Sequence, residues 1–146
     1  MQVPHNSFVL VADGRKSLFF RNQGDAGFPN LAVEGKEVHA NPAHREQASD
    51  LAGQSMKTRD GHGGSMEEVD FHQLEEDRFA ADTAAMLKAR ALRNDYESLV
   101  VVAPPKTLGE LRKHYHKEVE KRLVAEVPKD LVNVPVPEIE KILQAE

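Results

Sequence analysis

The sequence predicts a three-layer α/β domain built on one mixed, five-stranded sheet. Three observations predict it: an Asp-Gly turn between two apolar runs near the start, an Ala-rich helical stretch in the middle, and a continuous apolar run over residues 99–103. The predicted order is β-β-β-α-β-α-β-α, a meander followed by alternating elements. Right-handed crossovers would place helices on both faces of such a sheet.

The first part of the chain predicts an antiparallel meander. Apolar residues that favour strands lie within residues 8–12, 18–20 and 31–38. Asp13-Gly14 separates the first two runs, and this pair favours a hairpin because glycine accepts the positive φ of the turn. Residues 22–29 are polar and contain Gly and Pro, which predicts a loop. The third strand is expected to bend near Gly35.

The middle of the chain predicts a loop and then the longest helix. A short helix can open at Asn41-Pro42, since Asn caps a helix and Pro fits its first turn. Residues 52–65 are polar and Gly-rich and offer almost nothing to bury, so a mobile surface loop is expected there. The long helix is predicted to start at Ser65 and to continue over residues 69–94, whose Ala-rich part has high helix propensity.

The second half of the chain predicts alternating strands and helices. The apolar run over residues 99–103 indicates a strand buried on both faces, and two prolines end it. Three further elements are predicted: a helix from Leu108 through Tyr115 toward Val119, a strand over residues 123–127, and a helix opened by Pro137. A meander followed by β-α-β-α is the order of ribonuclease H-like folds, and this is the fold class that we expect.

Composition and charge exclude several functional classes. The 146 residues fit one domain, and the absence of cysteine excludes disulfides and thiolate metal sites. A net charge of -5 leaves no general nucleic-acid footprint, although it is compatible with a local basic patch. The sequence shows neither a signal peptide nor a membrane-spanning run. We therefore expect a cytoplasmic protein with no membrane partner and no DNA partner.

Common catalytic motifs do not occur in the sequence. A two-metal nuclease needs several converging carboxylates, but the run over residues 99–103 contains no acid, and Asp13 before Gly14 is typical of a turn. The seven histidines show no metal-ligand spacing. Neither a Gly-x-Ser-x-Gly elbow nor a Walker loop is present. We expect no metal and no cofactor, and these motifs identify no catalytic residue.

The Gly-rich segment combines cationic side chains with glycines directly before the long helix. Its cationic candidates are Lys57, Arg59 and His62, beside Gly61, Gly63 and Gly64. Cationic groups contact phosphates and glycines permit close backbone approach, so the segment could form a basic finger for ribosomal RNA or tRNA. A connector without a ligand is the alternative. Helical basic residues could flank the finger, or they could pair with Glu on a solvated face: Arg78, Lys88, Arg90, Arg93, Lys113, Lys117, Lys121 and Arg122.

This segment resembles the central, peptide-release domain of archaeal and eukaryotic class-I release factors, in which a basic loop bearing Gly-Gly-Gln precedes a long helix. Gly63 and Gly64 match the two glycines, Ser65 occupies the Gln position, and Gln54 offers an earlier Gly-Gln. The resemblance implies a loop that enters the ribosomal peptidyl-transferase centre, where the Gln helps to position the hydrolytic water. Because Ser is shorter and has no amide, it also implies that ordinary peptide release is lost.

Nearly the whole chain resembles the bacterial release-factor-like group often labelled "host attachment protein". The resemblance is carried by residues 13–16, 52–65, 99–105, 108–112 and 127–131. It implies one domain over residues 1–146, without the codon-reading domain of full release factors. Three hypotheses follow: a ribosome- or RNA-associated domain in translation rescue or quality control, an interaction protein that supports attachment to host cells, and a weak hydrolase that uses the His62–Ser65 region.

Overall fold

A computed structural model describes the backbone of residues 1–38 and 63–146 and the side chains of residues 1–38 and 73–146. Within these ranges the chain forms five strands and four helices. In chain order they are β1 (Phe8–Ala12), β2 (Lys16–Asn22), β3 (Leu31–Val38), α1 (Gly63–Leu92), β4 (Leu99–Val102), α2 (Pro105–Arg112), α3 (Lys117–Arg122), β5 (Leu123–Val127) and α4 (Val136–Ala145). The short helix expected at Asn41-Pro42 lies outside the described residues.

The five strands form one mixed sheet with the order β3-β2-β1-β4-β5. β1 pairs antiparallel with β2, and β2 pairs antiparallel with β3. β4 lies parallel to both β1 and β5. This confirms the mixed, five-stranded sheet of a three-layer α/β domain that is expected from a meander followed by alternating elements.

The first hairpin depends on the chemistry of the Asp13-Gly14 turn. One carboxylate oxygen of Asp13 accepts hydrogen bonds from the backbone N–H groups of Arg15, at 2.9 Å, and Lys16, at 2.8 Å. Gly14 has a φ of +98°, a conformation that residues with a Cβ rarely adopt. Asp13 is therefore a turn residue, as its position before glycine predicts, and its carboxylate is already engaged.

The bend expected near Gly35 is a β-bulge between β2 and β3. Phe19 lies opposite Gly35 and Phe20 lies opposite Val33, so Glu34 is the extra residue. A Cβ on Gly35 would lie 3.2 Å from the Phe19 ring, so the glycine allows this ring to pack against the strand. The bulge turns the outer end of the sheet and places Glu34 near Arg21.

Alternate residues of the central strands enter two separate cores, one on each face of the sheet. On one face, Phe8, Leu10 and Val101 pack with residues of α1, α2 and α3: Phe79, Leu87, Leu108, Leu111 and Val119. On the other face, Val9, Val11 and Val100 pack with Ile139 and Leu143 of α4. Burying a side chain of this size contributes roughly 1.5–3 kcal/mol, so both helix layers are held mainly by apolar contacts.

Two helices differ from the sequence expectations. α1 begins at Gly63 rather than Ser65 and ends at Leu92 rather than Asn94. The helix expected from Leu108 through Tyr115 toward Val119 is broken into α2 and α3. The break has a local cause, because His116 caps α3 by accepting a hydrogen bond from the Glu118 N–H at 3.0 Å. None of the helices in the described ranges combines the length and apolar character needed to cross a membrane.

Candidate functional site

The described residues that precede and follow the predicted basic finger lie toward the same end of the sheet, the end with the β1–β2 turn. β3 ends at Val38, which lies opposite Lys16 at the start of β2 and so beside the β1–β2 turn. α1 runs back along the sheet, and Glu76 and Phe79 lie beside Gly14 of that turn. Glu76 lies thirteen positions after Gly63 in α1, which corresponds to about 20 Å along the helix axis. The first turn of α1 is therefore far from the point where the helix contacts this turn.

A small pocket lies between α1, α2 and the β1–β2 turn. It is lined by Gly14, Glu76, Phe79, Ala80, Lys106, Thr107 and Glu110. Thr107 is buried, and its hydroxyl oxygen would lie 3.4 Å from a Cβ placed on Gly14. The free space is that of about one water molecule, which is too little for a nucleotide or a peptide.

The two carboxylates of the pocket are held by lysines at its rim. Glu76 lies 3.2 Å from the Lys106 Nζ, and Glu110 lies 3.2 Å from the Lys113 Nζ. The second oxygen of Glu110 is buried and has no hydrogen-bond partner among the described residues. Across residues 1–38 and 73–146, no three His, Cys, Asp or Glu residues form a group that could hold a metal ion. The pocket therefore offers neither a metal-binding group of this kind nor room for a substrate.

A polar network at the opposite end of the sheet holds the C-terminal end of α1. The guanidinium of Arg21 donates two hydrogen bonds to Glu34, at 3.1 and 3.2 Å, and one to the Asp95 carbonyl at 2.8 Å. Arg90 of α1 donates to the Asp95 carboxylate at 2.8 Å. Both guanidinium carbons lie about 5 Å from the centre of the Phe8 ring, at 5.1 Å for Arg21 and 4.9 Å for Arg90. The network fixes α1 relative to β2 and β3, and nothing in the local sequence pattern predicts it.

Tyr96, which directly follows Asp95, connects this polar network to the apolar core. Its hydroxyl donates to the Leu87 carbonyl of α1 at 2.9 Å, and its ring stacks on Phe8 with a centroid separation of 5.3 Å. Burial raises the pKa of Tyr96 to about 12, because the ionised phenolate would lose its hydration. The neighbouring Arg122 favours the phenolate, but this effect is smaller. Tyr96 therefore stays neutral over the physiological range.

Most of the helical basic residues that could flank an RNA surface are paired with acids. Five of the eight take part in ion pairs with carboxylates at 2.8–3.2 Å: Arg78, Arg90, Lys113, Lys121 and Arg122. Hydrogen bonds from Lys121 and then Arg122 lower the pKa of Glu118 below its usual range. For Lys88, Arg93 and Lys117, no ion pair occurs within the described part of the chain. The alternative of a solvated, Glu-paired helix face therefore holds for most of this set.

Comparison with known families decides what kind of domain this is. The sequence model of bacterial archaeo-eukaryotic release factor family 12 matches residues 6–143, which is nearly the whole chain. The chain belongs to this family. No curated protein matches the chain. The matched region contains the five described strands, α1, α2, α3, most of α4 and the segment between β3 and α1.

In this family 12 domain, the residues predicted from the release-factor resemblance fall on both sides of the start of α1. Gly63, Gly64 and Ser65 lie in the first turn of the helix, so the last three residues of the expected loop over residues 52–65 are helical. Residues 52–62 lie outside the described residues. Gln54, Lys57, Arg59 and His62 lie outside the described residues. The first turn contains no acidic residue, and its backbone N–H groups have no partners within the helix.

Sequence reasoning missed the pocket residues of the family 12 domain. Thr107 and Glu110 follow the two prolines after β4, and Glu76 lies among neighbouring acids that resemble a solvated helix face. Only the packing of α1 against α2 brings these three residues to Gly14. The available sequence signal was a threonine three residues before a glutamate, and helix periodicity alone does not distinguish this pair from ordinary amphipathic spacing.

Proposed function

We propose that this family 12 domain associates in the cytoplasm with ribosomal RNA or tRNA, in translation rescue or quality control, and does not hydrolyse peptidyl-tRNA. Membership of a release-factor-like family supports the first part of the proposal. The observation that carries it furthest is the position of Gly63-Gly64-Ser65, at the start of a 30-residue helix and about 20 Å along its axis from the pocket. This arrangement suits entry into a narrow RNA-lined space.

The second part of the proposal rests on side-chain chemistry. Release by a Gly-Gly-Gln loop uses an amide that both donates and accepts hydrogen bonds, whereas Ser65 has one hydroxyl on a short side chain. The described residues do not supply a substitute at the pocket, since its free space is that of one water. The domain would then occupy the RNA site of a release domain without performing its reaction.

Salt-dependent sedimentation tests the RNA association. The full chain should co-sediment with purified ribosomes at low salt and dissociate steeply as salt increases, because phosphate contacts release counterions. The Lys57→Glu/Arg59→Glu variant should lose the association. Lys113→Glu/Lys121→Glu is the matched control: it makes the same charge change at two exposed lysines that pair with Glu110 and Glu118. Equal sedimentation of the Lys57/Arg59 variant and the unmodified protein would refute the proposal.

A release assay tests the absence of hydrolysis. Ribosomes loaded with labelled peptidyl-tRNA should release no more peptide with the family 12 domain than without it. A functional release factor serves as the positive control for the loaded ribosomes. Release above the background, lost again in Ser65→Ala, would show instead that Ser65 supports hydrolysis.

A further inference from the structure

A cationic face lies on β2 and β3, beside the first turn of the sheet. Lys16 lies opposite Val38, and Leu18 lies opposite Lys36, so the two lysines are diagonal neighbours on one face. Arg15 is exposed in the adjoining turn. We call Arg15, Lys16 and Lys36 the β2–β3 cationic face. Diagonal neighbours lie about 7–8 Å apart, so the two ammonium groups can bind successive phosphates of one RNA strand.

These three cations differ from most of the helical basic residues described above. None of them forms an ion pair in the part of the chain that the structure describes. The nearby acids are directed elsewhere: Asp13 accepts two backbone N–H groups, and Glu34 binds Arg21. Glu37 lies opposite Ser17, and the alternation of the strand places it on the other face. The cationic charge of this face is therefore available to a ligand.

Apolar surface lies next to the cations. Val33 is 61% exposed and Val38 is 57% exposed, and both share the face of Lys16 and Lys36. The helix on this side, α4, packs over β1 and β4 through Ile139 and Leu143. A strip of cations with adjacent exposed valines suits a polyanion that also presents apolar sugar and base edges.

We propose that the β2–β3 cationic face binds the phosphate backbone of RNA as a second contact, separate from the predicted basic finger. The inference rests on the proposed function. It is favoured by position, because Val38 is the residue at which the chain leaves β3 toward the finger. The net charge of -5 favours a local contact with a narrow strand over a broad anionic membrane. RNA bound by the finger can thus continue along β2 and β3.

Direct RNA binding tests this face. The probe is a fluorescein-labelled single-stranded RNA of about 20 nucleotides, titrated with the full chain at several KCl concentrations. Lys16→Gln/Lys36→Gln should weaken binding at least about tenfold at 50 mM salt and reduce the slope of log K against log salt by about 1.5, since each lost contact removes about 0.7–0.9. Lys113→Gln/Lys121→Gln, with the same loss of charge at two lysines that pair with Glu110 and Glu118, should change the affinity less than about twofold.

Three outcomes would overturn the inference: an unchanged affinity of the Lys16/Lys36 variant, an equal loss in the control variant, or equal competition by poly-glutamate and unlabelled RNA. Unchanged circular dichroism and unfolding midpoints exclude misfolding as the cause of any loss. Ribosome sedimentation that depends on Lys57 and Arg59 but not on Lys16 and Lys36 would refute this inference and leave the proposed function standing. RNA binding through Lys16 and Lys36 without ribosome sedimentation would refute the proposed function and support binding at this face.

Discussion

Replacing Arg21 with alanine should destabilise the domain more than any single change at an exposed ion pair. The Arg21 side chain is 10% exposed, and it joins Glu34 of β3 to Asp95 just after α1. Removing one partner of a buried ion pair typically costs 3–5 kcal/mol, because the other charge stays unpaired. Glu34 is 33% exposed and Asp95 is 36% exposed, so water can partly replace the guanidinium. We expect a loss of about 2–3 kcal/mol in the free energy of unfolding.

Urea unfolding followed by circular dichroism measures this loss. Arg78→Ala is the control, because Arg78 is 58% exposed and forms one ion pair within α1, so its removal should cost less than about 0.5 kcal/mol. Arg21→Lys should fall between the two, since an ammonium cannot make the paired hydrogen bonds to Glu34. A loss for Arg21→Ala no larger than that for Arg78→Ala would refute the view that this network fixes α1.

Two further changes test the interior and the loop between β2 and β3. Stability should fall as pH rises from 10 to 12, because burial raises the folded pKa of Tyr96 above its unfolded value of 10.0. Burial also raises the pKa of Tyr115, which adds a separate loss; Tyr96 alone accounts for a loss of about 1.4 kcal/mol by pH 11. Tyr96→Phe should remove the part of the alkaline loss that comes from Tyr96, and it should cost about 1 kcal/mol at neutral pH. Urea midpoints at pH 8 and 11 measure both effects. An equal alkaline loss in both proteins would contradict the assignment of this loss to Tyr96. Gly24→Ala should cost about 2–3 kcal/mol, since its Cβ would lie 2.1 Å from the Phe28 carbonyl oxygen and 2.8 Å from the Asn30 backbone nitrogen. A thermal midpoint equal to that of the unmodified protein would contradict it.

Sequence patterns predict those elements whose cause is local. The hairpin follows from Asp13-Gly14, because the carboxylate and the positive φ act within four residues. β4 follows from its short, unbroken run of mostly β-branched residues ended by proline, which is typical of a strand covered on both faces. The β-bulge was visible as a bend, because Gly35 interrupts the pattern of β3.

The features that the sequence did not predict depend on local signals that compete with helix periodicity or on residues that are distant in the chain. Leu108, Leu111, Tyr115 and Val119 keep helical spacing across the break between α2 and α3, so periodicity conceals the cap formed by His116. The predicted start of α1 at Ser65 was two residues too late, because glycine is a poor helix former and the prediction therefore left Gly63 and Gly64 outside the helix. Arg21 and Asp95 are 74 positions apart, so no local sequence pattern indicates the polar network at the C-terminal end of α1. The β2–β3 cationic face was missed for a related reason, since the strand register decides which lysines share a face.

The central position of β1 has a consequence for how the chain acquires its structure. Ala12 and its partner Ser17 are five positions apart, whereas Phe8 and its partner Leu99 are 91 positions apart. Closing the longer loop costs about 2–3 kcal/mol more conformational entropy than closing the shorter one. We therefore expect the hairpin to form early and the docking of β4 to limit the folding rate. Until β4 docks, one edge of β1 has unpaired backbone groups, and a nascent chain is open to strand exchange with a second molecule there.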